Sequence, residues 1–414
     1  MKNTIKSVMP SWLLSAYHFS IAFLAALLYR FPSRHLVVIA VTGTKGKSST
    51  LEFLNAIFEA AGHRTALSST IRFKIDDVSQ PNLKRMTVPG RFFLQSFLSK
   101  AYTRNCSIAL IELTSEGARQ FRHRFISLDC LIFLNLAPEH IESHGSLEAY
   151  ADAKFELGQQ LLRSRKRRVM VANADDKESA RFLALPADES LPFSLSLAQP
   201  FEAGERGGFF TFDGFRIDVR LPGVFSLTNA LAAATAAQAL GIPTQAIARG
   251  IASVERIPGR AEEIVEGQQF PVIVDYAHTP DSLAALYSAF NMRRKICVLG
   301  ATGGGRDLWK RPVMGAVAEK FCDTIIITNE DPYDEDPRSI MDMIVEGISE
   351  KKPDMIPDRR EAIRRALEIA RASDAVLITG KGTDPTIQGP RGTSVPWSDA
   401  EVAREELRKL LGKR

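Results

Sequence analysis

The segment Gly43-Thr44-Lys45-Gly46-Lys47-Ser48-Ser49 constrains this chain most, because it joins an apolar, β-branched run from Leu36 to Val41 to an amphipathic stretch from Ser48 to Ala61. In that stretch Leu51, Leu54, Phe58 and Ala61 recur on one helical face, and Gly62 supplies a stop. A strand that feeds a Gly-rich turn into a helix points backbone N–H groups at the positive helix end, where they bind phosphate oxygens. Lys47 stands where it neutralises β- and γ-phosphate charge, and the Ser48 hydroxyl stands where it ligates Mg2+. Where the generic P-loop expression asks for its first Gly this chain has Val41 and Thr42, so only the Gly-Lys-Ser tail is regular. A plain Gly-rich turn with a surface lysine is the competing reading.

Further apolar runs recur with helical stretches between them, the alternation of a parallel α/β sheet. Ile108 to Leu113 ends near Glu112, Leu131 to Leu136 near Asn135, and Val169 to Ala172 at Asn173. Ligands of open α/β sheets gather at the carboxyl ends of strands, so these polar residues are expected to share one crevice. From about Pro192 to Phe225 short alternating strands, with turns at Gly207-Gly208 and Asp213-Gly214, predict an antiparallel excursion on the first sheet. A helix is expected over Leu227 to Leu240. A second α/β series follows, with strands at Val272 to Asp275, Ile296 to Gly300, Thr324 to Thr328 and Ala375 to Thr379. The expected architecture is a central P-loop-type parallel-sheet domain over residues 35–257 and a Rossmann-like α/β domain over 258–414, preceded by an apolar helical segment over 1–34.

The formal charge of +5 on 414 residues is spread among nearly as many acids as bases, which fits phosphates or an anionic small substrate and gives no signature of nucleic-acid binding. The four cysteines, Cys106, Cys130, Cys297 and Cys322, are widely spaced and predict neither a disulfide framework nor a zinc site, so a reducing cytoplasm is expected. Ser11 to Phe31 departs from this picture. It is apolar apart from Ser and His18, is flanked by Lys2, Lys6, Arg30 and Arg34, and is long enough to span a bilayer. Tyr17, His18 and Ser20 dilute its middle, which favours a helix packed on the protein or lying on a membrane surface over a true anchor.

Downstream segments extend the pattern of the loop. They are Glu112-Leu113-Thr114-Ser115; Asn135-Leu136-Ala137-Pro138-Glu139-His140 with His144-Gly145 and Tyr150-x-x-x-Lys154; Leu221-Pro222-Gly223 with Asn229-Ala230; Pro258-Gly259-Arg260; and Asp275-Tyr276-Ala277-His278-Thr279-Pro280. Taken in order with Gly43 to Ser49, they resemble the Mur ligase family. Gly303-Gly304-Gly305-Arg306-Asp307, Lys310-Arg311-Pro312 and Gly380-Lys381-Gly382 are most similar to the members that add the third residue of the peptidoglycan stem peptide.

The resemblance implies an ADP-forming amide ligase of peptidoglycan precursor synthesis that takes ATP, Mg2+, a muramyl-peptide acceptor and an amino acid. It implies that Gly43, Thr44, Lys45, Gly46, Lys47, Ser48 and Ser49 bind ATP with Asn229, Arg260, Asp275 and His278, and that Ser48, Glu112 and His140 ligate the metal. Lys154 would be a carbamylated lysine supporting that metal, since a carbamate replaces a positive charge with a negative one. Thr87, Thr114, Ser115, Gln120 and Arg122 would receive the acceptor, and Arg306, Glu330, Asp331 and Asp384 the amino acid. Members carry an N-terminal uridine-binding domain, and only about 35 residues precede the first strand here, too few for one. Glu330-Asp331-Pro332-Tyr333 stands where the diaminopimelate-adding members have Asp-Asn-Pro-Arg. Without that Arg the second carboxylate loses its bidentate grip, which favours lysine or another amino acid. Competing readings are an amide ligase on another acceptor, either folylpolyglutamate-synthase-like or acting on a lipid-linked muramyl peptide, and a nucleotide-binding module without catalysis.

Overall fold

The structure is a computed structural model that describes residues 11–84, 86–139 and 145–413, without the side chains of 11 and 12. Its larger sheet has eight strands: β1 (Val37–Thr42), β2 (Thr65–Ser68), β3 (Arg72–Ile75), β4 (Val78–Pro81), β5 (Ile108–Glu112), β6 (Cys130–Phe133), β7 (Val169–Asn173) and β8 (Glu189–Phe193). Their order is β4-β3-β2-β5-β1-β6-β7-β8, parallel except for the hairpin edge β2-β3-β4. The helices are α1 (Ser11–Leu28), α2 (Lys47–Ala60), α3 (Arg91–Thr103), α4 (Ser115–Arg119), α5 (Leu147–Leu162), α6 (Ser179–Leu183), α7 (Val224–Ala239) and α8 (Thr244–Ala252).

Side chains on a strand alternate faces, and β1 shows what that does here. Ile39 and Val41 enter a core with Leu51, Leu54, Ile57 and Phe58 of α2 and Leu227 and Leu231 of α7, while Val38 and Ala40 enter a second core with Leu94 and Leu98 of α3 and Leu157 and Leu161 of α5. Layers on both faces explain why the strands read as unbroken apolar runs. The phosphate loop leaves β1 between β5 and β6, the point where successive connections run to opposite sides of the sheet.

The expected antiparallel excursion is instead a separate three-stranded sheet, β9 (Phe201–Gly204), β10 (Gly207–Phe212) and β11 (Phe215–Val219). Its Phe210, Ile217 and Val219 pack into the α2 and α7 core, so it leans on the helices and adds no ladder to the large sheet. The second large sheet has the order β12 (Glu262–Glu263), β13 (Val272–Asp275), β17 (Asp374–Thr379), β14 (Arg294–Leu299), β15 (Thr324–Ile327), β16 (Asp354–Met355), parallel except for β12. Helices α9 (Pro280–Ala289), α10 (Lys310–Phe321) and α11 (Pro337–Val345) cover one face, and α12 (Arg359–Ile369) and α13 (Asp399–Leu410) the other. A short ribbon, β18 (Thr386–Gln388) with β19 (Ser394–Pro396), completes the strands named here.

One further expectation needs correction, and the favoured reading of the N-terminal apolar stretch holds. Cys297 and Cys322 are joined by a disulfide, although no bridge was expected; Cys297 lies on β14 and Cys322 at the end of α10, just before the neighbouring strand β15, which puts their Cα atoms 6.1 Å apart. Residues 11–28 form a helix docked through buried Ala22, Ala25 and Ala26, and no helix among the described residues is long and apolar enough to cross a membrane.

Helices α2 and α8 meet at Gly250, where an added Cβ would sit 2.4 Å from the Ile57 Cα. Helix propensity alone makes Gly→Ala stabilising by about 1 kcal/mol. Backbone cannot yield as a flexible side chain does, so Gly250→Ala is expected to destabilise by about 2–4 kcal/mol in urea unfolding. A midpoint at or above that of the parent would contradict this contact.

Candidate functional site

The site begins at the two left-handed glycines of the phosphate loop. Gly43 has φ +151° and Gly46 φ +85°, and a Cβ at Gly46 would lie 2.2 Å from Asn229 Oδ1. The expected partner from α7 is therefore pressed against the loop. Asn135, just past β6, fastens the turn: its Oδ1 accepts from the N–H groups of Thr44 (3.1 Å) and Lys45 (2.8 Å), and its Nδ2 donates to the Lys45 carbonyl (3.2 Å). Tyr150 on α5 meets the Thr44 hydroxyl at 3.1 Å.

Three lysines surround this turn. Lys47 Nζ donates to the Gly43 and Thr44 carbonyls at 3.0 Å each, and Lys154 Nζ donates to the same Gly43 carbonyl at 2.8 Å. Burial lowers the pKa of both ammoniums, and Lys47 lowers Lys154 further. Burial also lowers Lys45, against the pull of Glu139 at 3.2 Å. Three lysines gathered on one Gly-rich turn at a helix start form a receptor for a polyanion.

Glu112, at the end of β5, lies under the start of α2. Ser48 Oγ donates to its Oε1 at 2.6 Å, and the Thr70 N–H and hydroxyl each donate to its Oε2 at 2.6 Å. Thr70 in turn meets Thr87 at 2.9 Å, which ties an expected acceptor residue to the expected metal ligand. His140 lies outside the described residues. Among the described residues no group of three His, Cys, Asp or Glu side chains could hold a metal. The oxygens of Ser48, Glu112 and Thr70 nevertheless fit Mg2+, a hard ion that takes one or two protein ligands and fills its shell with phosphate and water.

From the second sheet, His278 reaches into the first. Its Nδ1 contacts the Tyr276 carbonyl at 2.7 Å and its Nε2 lies 2.8 Å from Glu139 Oε1. With Nδ1–H given to the carbonyl, a second proton must lie between Nε2 and Oε1, although burial pulls the imidazole pKa down. Glu139 thus bridges Lys45 of the loop to His278 of the second sheet. Arg260 stacks on Tyr276 at 4.6 Å, and its buried Nε makes no hydrogen bond. Asp275 is turned inward: its two oxygens accept from the Ala261 and Ala277 N–H groups at 2.6 Å each, and burial raises its pKa.

The residues expected to receive the acceptor gather around α4. Thr114 caps that helix by accepting from the Gly117 N–H at 3.1 Å, and Ser115 is buried. Gln120 Oε1 accepts from Arg122 Nη2 at 2.7 Å, Arg122 also donates to the Val88 carbonyl, and Arg91 donates to the Gln120 carbonyl. Arg122 therefore holds Gln120 and the Val88 carbonyl together and keeps further N–H donors on Nη1 and Nη2. The residues expected to receive the amino acid gather across the second sheet's carboxyl edge. Glu330 Oε1 accepts from Thr302 Oγ1 at 2.8 Å, whereas its buried Oε2 has no hydrogen-bond partner. Lys381 pairs with Asp331 at 2.9 Å and Asp384 at 3.1 Å, and Arg306 stacks on Tyr333 at 4.8 Å.

The sequence placed Asn135 in the shared crevice without naming its partner and assigned no role to Glu139, Tyr150 or Lys381, although each stands inside a quoted motif; it passed over Thr70, Arg91 and Thr302. Thr70 had one weak signal, the polar run Ser68-Ser69-Thr70 at a strand end. Arg91 and Thr302 had none.

Comparison with known proteins agrees with this geometry. Residues 41–237 match the Mur ligase middle domain and residues 259–382 the Mur ligase glutamate ligase domain. The chain is 36% identical to a UDP-N-acetylmuramyl-tripeptide synthetase of Roseiflexus sp. and 33% identical to a UDP-N-acetylmuramoyl-L-alanyl-D-glutamate–2,6-diaminopimelate ligase of Syntrophomonas wolfei, in each case over 94% of this chain and 82% of the relative. A solved structure of another UDP-N-acetylmuramoyl-L-alanyl-D-glutamate–2,6-diaminopimelate ligase superposes with a TM-score of 0.62 at 29% identity, covering 91% of this chain and 79% of that one. With the phosphate loop, its lysines and the Glu112 carboxylate in one crevice, the chain belongs to the Mur ligase family of ADP-forming acid–amino-acid ligases.

Proposed function

We propose that this ligase adds a lysine-like amino acid to the carboxylate of a muramyl-peptide acceptor at the expense of ATP. A carboxylate is a poor electrophile. Transfer of the γ-phosphoryl group to a carboxylate oxygen yields an acyl phosphate and ADP; the amine then attacks the carbonyl carbon, the amide forms, and phosphate and a proton leave. The observation that carries this reading is the convergence of Lys47, Lys154 and the Ser48–Glu112 pair on one loop. Lys47 and the loop N–H groups hold and orient the phosphates, and Arg260 with its free Nε approaches from the other sheet. Mg2+ bound at Ser48 and Glu112, with His140 as the further ligand, would neutralise phosphate charge.

Lys154 is proposed to act as its carbamate. The reaction with carbon dioxide needs a neutral amine, and burial beside Lys47 favours the neutral form. The two domains, 35–257 and 258–414, are proposed to close on ATP, with Glu139 and His278 as the contact between them.

The choice of a lysine-like substrate rests on Glu330 and Tyr333. A buried carboxylate with one unpartnered oxygen suits an ammonium. An aromatic ring stacked under Arg306 supplies no second carboxylate clamp.

Phosphate release from ATP, with UDP-muramyl dipeptide, its lipid-linked form and a folate crossed with lysine, ornithine and diaminopimelate, tests the substrates. The expected result is turnover with a muramyl acceptor and at least tenfold higher kcat/KM for lysine or ornithine than for diaminopimelate. Turnover only with folate would reject the cell-wall reading, and none with any pair would favour a binding module. For the carbamate, Lys154→Ala is expected to lose at least a hundredfold in kcat, to keep its ATP affinity within a few-fold and to regain activity with added short carboxylic acids; an unchanged rate would exclude the role.

A further inference from the structure

Helix α1 has two opposed stripes. At about 100° per residue, Ala22, Ala25 and Ala26 fall on one side, and Leu13, Tyr17, Leu24, Leu27 and Leu28 share a stripe about 100° wide on the other. The alanines are at most 2% exposed, whereas Tyr17 is 54%, Leu24 52%, Leu27 53% and Leu28 66% exposed. The small residues seat the helix on the body, against α3, and leave its large apolar residues outside. Contiguous apolar patches of this kind mark an interaction surface.

The charge around the stripe indicates what covers it. The first acidic residue of the chain is Glu52, and Lys2, Lys6, Arg30 and Arg34 precede it. Arg30 and Arg34 are exposed where α1 ends, and Lys100 and Arg104 are exposed at the end of α3. A second copy of the chain laid on this face would oppose arginines to arginines with no acid on the helix to pair them. An anionic bilayer supplies both halves of the match, an apolar interior for the stripe and phosphate headgroups for the rim. Tyr17 suits the depth between them.

We propose that α1 lies in the plane of an anionic lipid surface and docks the ligase there. The helix is held along the body by its alanines, so it binds on the bilayer and does not cross it. A cleft of about 650 Å3 opens between α1 and α4, lined by Leu14, His18, Arg119, Gln120, Phe121 and Arg124 with Glu116 and Glu156. This proposal stands apart from the choice of acceptor and amino acid.

Flotation of the full chain with phosphatidylcholine vesicles, with and without phosphatidylglycerol, tests it. Binding to the anionic vesicles is expected, and weakening as salt is raised. Leu24→Glu with Leu28→Glu, and separately Arg30→Glu with Arg34→Glu, should each lower the partition coefficient at least tenfold while phosphate release is unchanged. These side chains are exposed, so both variants should fold, and circular dichroism checks that they do. Failure of the parent protein to float, or flotation of both double variants at parental strength, would overturn the proposal. So would a parent that ignores vesicles and forms a dimer that the leucine variant dissolves, since the stripe would then belong to a second copy.

Discussion

The constraint on which the site depends is the turn between β1 and α2, which only the left-handed backbone at Gly43 and Gly46 permits. Asn135 closes it from the neighbouring strand, using both ends of its amide on Thr44 and Lys45. The side chain can do this because β6 pairs with β1 in parallel register, Phe133 opposite Thr42, so that the strands end together. Core packing fixes that register: Ile39 and Ile132 point to one layer, Ala40 and Leu131 to the other. The loop geometry is thus tied to the register of the sheet.

Electrostatic strain is concentrated at this turn. Lys47 and Lys154 share one carbonyl, and burial acts against the charge on each. Glu112 offsets part of it for Lys47, and Glu139 for Lys45. A triphosphate would satisfy the loop cations, and conversion of Lys154 to a carbamate would place a negative charge beside Lys47. Glu139 also couples the electrostatics to domain arrangement, because the same carboxylate holds Lys45 and His278.

Much of this could be read from the sequence, for a definite reason. Both large sheets are covered on two faces, so their strands are continuous apolar runs that end at polar residues, and β13 was found at its observed bounds while β1, β5 and β7 were found to within one residue at each end. The β3-β4 hairpin was missed because its outer strand is exposed along its length and carries no apolar pattern; its turn rests on Asp76 at φ 57°. The three-stranded sheet was recognised by its turns, but its attachment was misjudged, since alternation shows which face is buried and not against what. At the site, loop residues and Glu112 were legible because motif spacing fixes backbone position. Arg122 and Asp275 were named for ligands, and the partners they also have within the protein were not foreseen. Partnership of that kind depends on residues far apart in sequence, such as Val88 and Ala261, which no local pattern records.

The second domain carries the specificity argument, and it turns on which acids are already neutralised. Asp331 and Asp384 are paired with Lys381, which leaves the Glu330 oxygen as the buried acceptor without a hydrogen bond. The central claim, however, concerns the first half of the reaction, activation of a carboxylate at the phosphate loop. It is tested most directly by incubating the protein with ATP, Mg2+ and the muramyl-peptide acceptor in the absence of any amino acid and trapping with hydroxylamine. The account predicts a hydroxamate of the acceptor, formed with ADP in equal amount and lost in Lys47→Ala. ADP formed with no hydroxamate, by a protein that still makes the amide when the amino acid is added, would contradict it.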